Sequence, residues 1–138
     1  MSRLYLLDTN MVSYAFKGKS PAARLHLTSL GFDEVASISV ITEAELLYGM
    51  AKSKGGERSR KSLEWFLMRL KVHPWERETA AVYASLRVRQ ESMGKSLGAL
   101  DMQIAAHAVA LGAILVTNDQ AFQHVPDLVG LENWATDL

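Results

Sequence analysis

Four acidic residues, Asp8, Glu45, Asp101 and Asp119, fall where an alternating strand and helix chain turns from strand into helix. Such turns are distant in sequence but gather along one edge of a parallel sheet, at the carboxyl ends of its strands. The four carboxylates therefore converge with no lysine or arginine among them, and a cluster of like charges of this kind calls for a cation. Oxygen-only donors suit Mg²⁺ or Mn²⁺. Zinc is disfavoured, because the chain has no cysteine and its histidines, His26, His73, His107 and His124, are scattered without paired ligand spacing. A hard cation in such a cluster can acidify a water for in-line attack on phosphorus and neutralise charge on the phosphoryl oxygens.

The elements that must carry these acids can be read from the apolar pattern. Arg3 to Leu7, Val35 to Ser39 and Ala113 to Thr117 are short apolar or β-branched runs of strand length, each followed by a helical pattern. Ser20-Pro21 supplies a cap and a first-turn proline for a helix through Leu30. Helical periodicity returns over Ile41 to Ala51, around Leu63, Phe66, Leu67 and Leu70, over Arg77 to Met93, and over Leu100 to Leu111 before Gly112. Val72-His73-Pro74-Trp75 fits a short edge strand, since proline bars a central place, and Leu128 to Leu131 fits a last strand. The alternation predicts an α/β protein, a three-layer α/β/α arrangement around a central, mainly parallel sheet, in one domain spanning 1–138.

Composition narrows the setting. Hydrophobic residues make up 49% of the 138, but apolar runs such as Ile104 to Val116 are interrupted by His107 and Gly112, so no segment reads as membrane-spanning. Met1-Ser2-Arg3 and the short run after it lack the form of a secretory signal. With no cysteine to form disulfides, the expectation is a cytoplasmic protein. The formal charge is zero, yet Lys52, Lys54, Arg58, Arg60, Lys61, Arg69 and Lys71 face only Glu57 and Glu64 between Lys52 and Lys71, an excess of five positive charges. That stretch is either a solvated helix with a basic face or a basic rim for nucleic acid beside the acids.

Each acid taken singly also has a structural explanation. Asp8 can cap a helix beginning near Thr9. Thr42-Glu-Ala-Glu45 fits a capping box, with Glu43 as a competing acid that points about 200° away from Glu45. Asp101 favours the dipole of a helix N-terminus, and Asp119 suits a turn. All four at one topological edge are harder to assign to capping. Asp8-Thr9-Asn10 lacks the second aspartate of an aspartyl-phosphate phosphatase, no aspartate lies between Asp33 and Asp101 for a receiver domain, and there is no phosphate-binding glycine loop. No serine sits in a nucleophile-elbow context. His107, amid alanines, reads as a hydrogen-bonded core residue.

Leu6-Leu7-Asp8-Thr9-Asn10, Ser37 to Gly49 with Glu45 before Leu-Leu-Tyr-Gly, Gly98-Ala-Leu-Asp101 with Ile104-Ala-Ala-His107-Ala, Leu115-Val-Thr-Asn-Asp119 and Glu132-Asn-Trp134 together resemble the PIN-domain ribonucleases, in particular the VapC toxins of toxin–antitoxin pairs. The resemblance runs from about Leu4 to Trp134. It implies a Mg²⁺- or Mn²⁺-dependent endoribonuclease in which Asp8, Glu45, Asp101 and Asp119 are the catalytic and metal-binding quartet. Thr9, Asn10, Thr117 and Asn118 match supporting polar positions. It further implies an RNA substrate, a VapB-type antitoxin as partner and a homodimer. The stretch Asn10 to Pro21 is similar to toxins that cut initiator tRNA in its anticodon loop. The chain departs from many relatives at Ala121, where they carry an acid. Two other readings fit the same residues: a housekeeping PIN ribonuclease in RNA processing, and a non-catalytic PIN domain that binds RNA or protein through its basic rim.

Overall fold

The structure is a computed structural model that describes residues 2–136; Met1, Asp137 and Leu138 lie outside the described residues. Five strands, β1 (Arg3–Leu7), β2 (Glu34–Ser39), β3 (Lys71–His73), β4 (Ile114–Val116) and β5 (Leu131–Glu132), form one sheet in the order β3-β2-β1-β4-β5, every neighbouring pair parallel. Between them run α1 (Thr9–Phe16), α2 (Pro21–Thr28), α3 (Val40–Lys52), α4 (Glu57–Met68), α5 (Arg77–Ser92) and α6 (Ala99–Leu111), with a 3₁₀ helix over Gln120–His124.

The period of two along β1 explains the layers. Tyr5 and Leu7 face one cluster with Met11, Val12 and Ala15 of α1, Leu27 of α2, Leu46 of α3 and Phe66 of α4. Leu6, between them, faces the other cluster with Leu86 of α5, the apolar residues of α6, and Phe122. The same alternation recurs in β4, where Val116 joins the first cluster and Leu115 the second. A strand buried on both faces leaves little to water, which is why β1, β2 and β4 read as continuous apolar runs.

Most element ends have a local cause. Asp8 caps α1 by accepting from the Met11 N–H at 2.8 Å, and Ser20 caps α2 by accepting from Ala23. α6 stops at Gly112, whose φ of 65° few residues with a side chain adopt comfortably. Two expectations needed correction. α3 begins at Val40 and is capped by Ser39, which accepts from Ile41 at 3.1 Å, so Thr42 and Glu45 lie inside the helix and form no capping box. The last strand is Leu131–Glu132 rather than Leu128 to Leu131: Asp127 takes φ 70°, a turn occupies the intervening residues, and Val129 is exposed. Among the described residues no helix is long and apolar enough to cross a membrane.

A Cβ at Gly112 would meet nothing within 4 Å, so the cost of a side chain there is conformational alone. Gly112→Ala should destabilise the fold by about 1 kcal/mol in urea unfolding. A loss of several kcal/mol would mean that packing, not backbone conformation, selects glycine at the end of α6.

Candidate active site at the switch point of the sheet

Chain order reverses between β1 and β4: from β1 the sheet grows outward to β2 and β3, then the chain returns to the other side of β1 for β4. At such a point the loops leaving the two strands part in opposite directions and open a crevice at their carboxyl ends. Asp8 and Thr117 stand one residue beyond β1 and β4, respectively, at that crevice. The Asp8 N–H donates to the Val116 carbonyl at 3.0 Å, extending the ladder by one bond. Across the same gap the Thr117 hydroxyl donates to Asp8 Oδ2 at 2.5 Å. That hydroxyl also accepts the Asp119 N–H at 3.0 Å, while Asp119 Oδ1 caps the 3₁₀ helix at Ala121. One threonine thus fixes both the direction of the Asp8 carboxylate and the turn that carries Asp119.

Asp101 arrives from the other face, in the first turn of α6, half-buried. Asp8, only 4% exposed, has its pKa pushed up to about 6 from the ordinary 3.8. Burial is the main cause, with the negative charges of Asp101 and Asp119 adding to it and the hydrogen bonds from Thr117 and Met11 opposing it. Asp101 is likewise raised, by burial first and then by Asp119. Three of the four predicted acids therefore share one field. Among the described residues no lysine or arginine forms an ion pair with any of the four.

Glu45 reaches the site by a different route. It is half-buried and, with Leu46 of α3, lines a groove of about 220 Å³ whose polar walls include Thr9, Asn10, Ser13, Lys17 and Ser59. Glu43 is not in that lining, so between the two acids of α3 it is Glu45 that faces the residues following Asp8. Thr9 donates its hydroxyl to Thr42 Oγ1 at 3.2 Å, tying α1 to α3, whereas Asn10 is exposed in the groove. Asn118 accepts from Asn133 Nδ2 at 2.7 Å and bounds a second recess with Asp119 beyond β4.

His107 is the hydrogen-bonded core residue expected from the sequence, but its partner Ser39 was not singled out there. Ser39 caps α3 and also bonds His107 Nδ1 at 2.8 Å, so the helix bearing Glu45 and the helix bearing Asp101 are joined by a buried contact. A serine at the end of a buried strand, just before a helical pattern, was the available signal. As for a cation, the donors are oxygen-only and the Asp8 cluster is anionic and partly dehydrated, which fits a hard divalent ion. Among the described residues, though, no three His, Asp or Glu side chains are already closed up as a cation cage, so the acids form an open cluster.

The PIN domain family model matches residues 5–128. Ribonuclease VapC2 of Rickettsia felis is 38% identical over 132 residues, 95% of this chain and 98% of that protein. The tRNA(fMet)-specific endonuclease VapC of Salmonella typhimurium is 32% identical, covering 94% and 97%. Among solved structures, VapBC2 of Rickettsia felis bound to a DNA fragment from its promoter superposes with a TM-score of 0.88 at 37% identity, covering 95% and 98%. DNA-bound VapBC of Salmonella typhimurium gives 0.85 at 31%, covering 97% and 99%.

Because the folded pKa of Asp8 lies above its unfolded value, the folded state holds the proton more tightly between about pH 4 and 6, and ionisation there works against folding. Stability is fullest below about pH 4, falls as pH rises through that window, and is level above it; two pKa units correspond to roughly 3 kcal/mol. Asp8→Asn keeps an oxygen to accept from Met11, reverses the Thr117 contact so that its amide donates to the hydroxyl, and cannot ionise. In EDTA, the variant should therefore melt higher than the parent at pH 7.5, with the gap closing as pH falls to about 4. A gap that ignores pH would remove titration of Asp8 as its cause.

Proposed function

The chain belongs to the PIN domain family, and from that premise we propose that it is an endoribonuclease toxin of the VapC type, held in check by a VapB-type antitoxin. The observation that carries the catalytic part is the gathering of Asp8, Asp101 and Asp119 beyond the strand ends, where burial first and then the neighbouring carboxylates raise Asp8, and no basic side chain among the described residues is paired with it. Relatives named as VapC ribonucleases across nearly the whole length support the substrate class, and the VapBC complexes among the structural neighbours support the partner.

In this reading Asp8, Asp101 and Glu45 hold Mg²⁺ or Mn²⁺, and Asp119 completes the acidic quartet from its own turn. A divalent ion supplies Lewis acidity toward phosphate oxygens and acidifies water. The protein's own part is orientation. Thr117 and the Met11 N–H aim the two oxygens of Asp8 in fixed directions. Bringing a cation beside Asp8 favours its ionised form and offsets the burial and like-charge repulsion that raise it. Asn10, Ser13 and Lys17 offer hydrogen bonds and one positive charge to a strand lying in the groove that Glu45 also lines. The initiator tRNA is the finer substrate we propose, resting on the Salmonella relative's name and on the similarity of Asn10 to Pro21 to such toxins. A homodimer belongs to the same proposal; Leu47 and Tyr48 of α3 offer exposed apolar area for it.

The test is to incubate antitoxin-free protein with total bacterial RNA in Mg²⁺, Mn²⁺ or EDTA, and to map new 5′ ends. We expect metal-dependent cuts at one or a few tRNA positions, lost in Asp8→Asn and Asp101→Asn, and slowed about 10–100-fold in Thr117→Val, which removes an orienting hydroxyl. Cleavage undiminished in both aspartate variants would sink the acidic-cluster mechanism. Metal-indifferent RNA binding with no cleavage would leave a binding domain.

A further inference from the structure

Away from the acids, α4 presents a second surface. Arg58, Lys61, Ser62 and Trp65 follow one another at helical spacing, so they share a stripe on that helix. Arg24 of α2 faces them across a recess of about 530 Å³, within the ~300–1,000 Å³ range of ligand-binding clefts. Three of the five lining residues are cations, and among the described residues none of the three is paired with a carboxylate. Glu57, the nearest acid in sequence, pairs with Arg60 instead. Trp65, 37% exposed, carries the Arg69 guanidinium 3.4 Å from its ring centroid, while its edge rests on buried Phe66. A tryptophan fixed in this way is a platform: its orientation is set from within and it remains open to the recess.

The recess and the active-site groove are adjacent. Ser59 of α4 lines the groove with Glu45 and Asn10, and Ser62, one turn on, lines the recess. Ser62 donates to the carbonyl of Phe16, itself a wall of the groove, at 3.1 Å. Six residues of helix separate Ser59 from Trp65, about 9 Å, or between two and three stacked-base spacings of ~3.4 Å.

Phosphate binding is favoured by clustered unpaired cations, and single strands are held by aromatic platforms on which bases of any kind stack. The recess supplies both. Resting on the ribonuclease reading above, we propose that Arg24, Arg58, Lys61 and Trp65 form a holding site for the RNA strand outside the catalytic groove: the cations grip its backbone phosphates and one base stacks on Trp65. The enzyme then reads a strand that leaves the groove over α4, and the holding site determines how much RNA beyond the cut is engaged.

The probes are unstructured oligoribonucleotides of about four and about twelve nucleotides, a span that brackets known single-strand site sizes. Binding is measured by fluorescence anisotropy in EDTA over a salt series, and cleavage of the longer RNA is measured in Mg²⁺. The variants are Arg58→Ala/Lys61→Ala and Trp65→Leu, with Arg77→Ala at the start of α5 as control, and melting curves verify folding. For the longer RNA we expect the double variant to bind at least tenfold more weakly, with the slope of log K against log salt falling by about 1.4. Trp65→Leu should bind roughly 5- to 150-fold more weakly with its slope kept. The shorter RNA can occupy the recess by itself, so its binding should weaken as well. In cleavage, KM should rise while kcat holds.

Unchanged binding and salt slope on both lengths overturns the holding site even if cleavage is intact. Recess-dependent binding without any cleavage leaves the holding site standing and removes the catalytic reading. Should the same substitutions spare RNA but abolish binding of an acidic peptide, the recess is a protein dock and the proposal fails.

Discussion

The hydrogen bond from Thr117 to Asp8 spans the switch point of the sheet, where the loops leaving the paired strands β1 and β4 part, and the arrangement of the site depends on it. Asp8 is buried, repelled by two other carboxylates and served by only two neutral donors. In its ionised form it opposes folding by an amount comparable to a sizeable part of a small domain's stability. A carboxylate in that position persists because the backbone on either side is over-determined: β1 is locked between β2 and β4 with apolar side chains on both faces, and the ladder continues through the Asp8 N–H itself. Functional residues held at a cost to stability are drawn from such rigid surroundings.

The four acid-bearing segments are linked by a chain of polar contacts. Asp119 is tied to Thr117 and Thr117 to Asp8; the following residue, Thr9, bonds Thr42 of α3; Ser39, the cap of α3, bonds His107 of α6, the helix that begins beside Asp101. Each link satisfies a polar group that burial would otherwise leave unpaired. Each also joins two elements that the hydrophobic clusters alone would leave free to slide, since Asp101 rises from one layer and Glu45 from the other. The apolar clusters set the distance between layers, and the polar chain sets their registration.

Much of this was legible in the sequence, and the parts that were not share a cause. β1, β2 and β4 announced themselves because strands buried on both faces must be apolar throughout, and Asp8, Ser20 and Gly112 carry the local chemistry that starts or stops a helix. An alternating chain in a parallel sheet sends every strand end to one edge, which is the reason to expect the acids together; Asp8, Asp101 and Asp119 lie within reach of one another's charge, whereas Glu45 sits inside α3 in the groove beside Thr9 and Asn10. The start of α3 was misplaced because Ser39 belongs both to a strand and to a cap, and the last strand was misplaced because Asp127 takes a left-handed turn that only tertiary contacts sustain. The recess was invisible in pattern alone: half of it comes from α4, but Arg24 belongs to a helix more than thirty residues earlier. Sequence exposes what local period and chemistry decide, and hides what two distant elements make by meeting.

The separation of acid and base in a chain of zero net charge suits the chemistry proposed for it. A lysine or arginine close to Asp8 would pair with it, lower its pKa and take the place a metal ion needs. A polyanion nevertheless has to approach a cluster of carboxylates that repels it. Screening makes the two demands compatible: at physiological ionic strength fields fade over about 8 Å, so cations farther than that from the acids attract phosphate without neutralising them. The basic stripe of α4 lines a recess of its own rather than the groove, adjoining it through Ser59 and Ser62 and at Phe16. Within one small fold, distance rather than composition keeps the charges that hold a strand from cancelling those that would cut it.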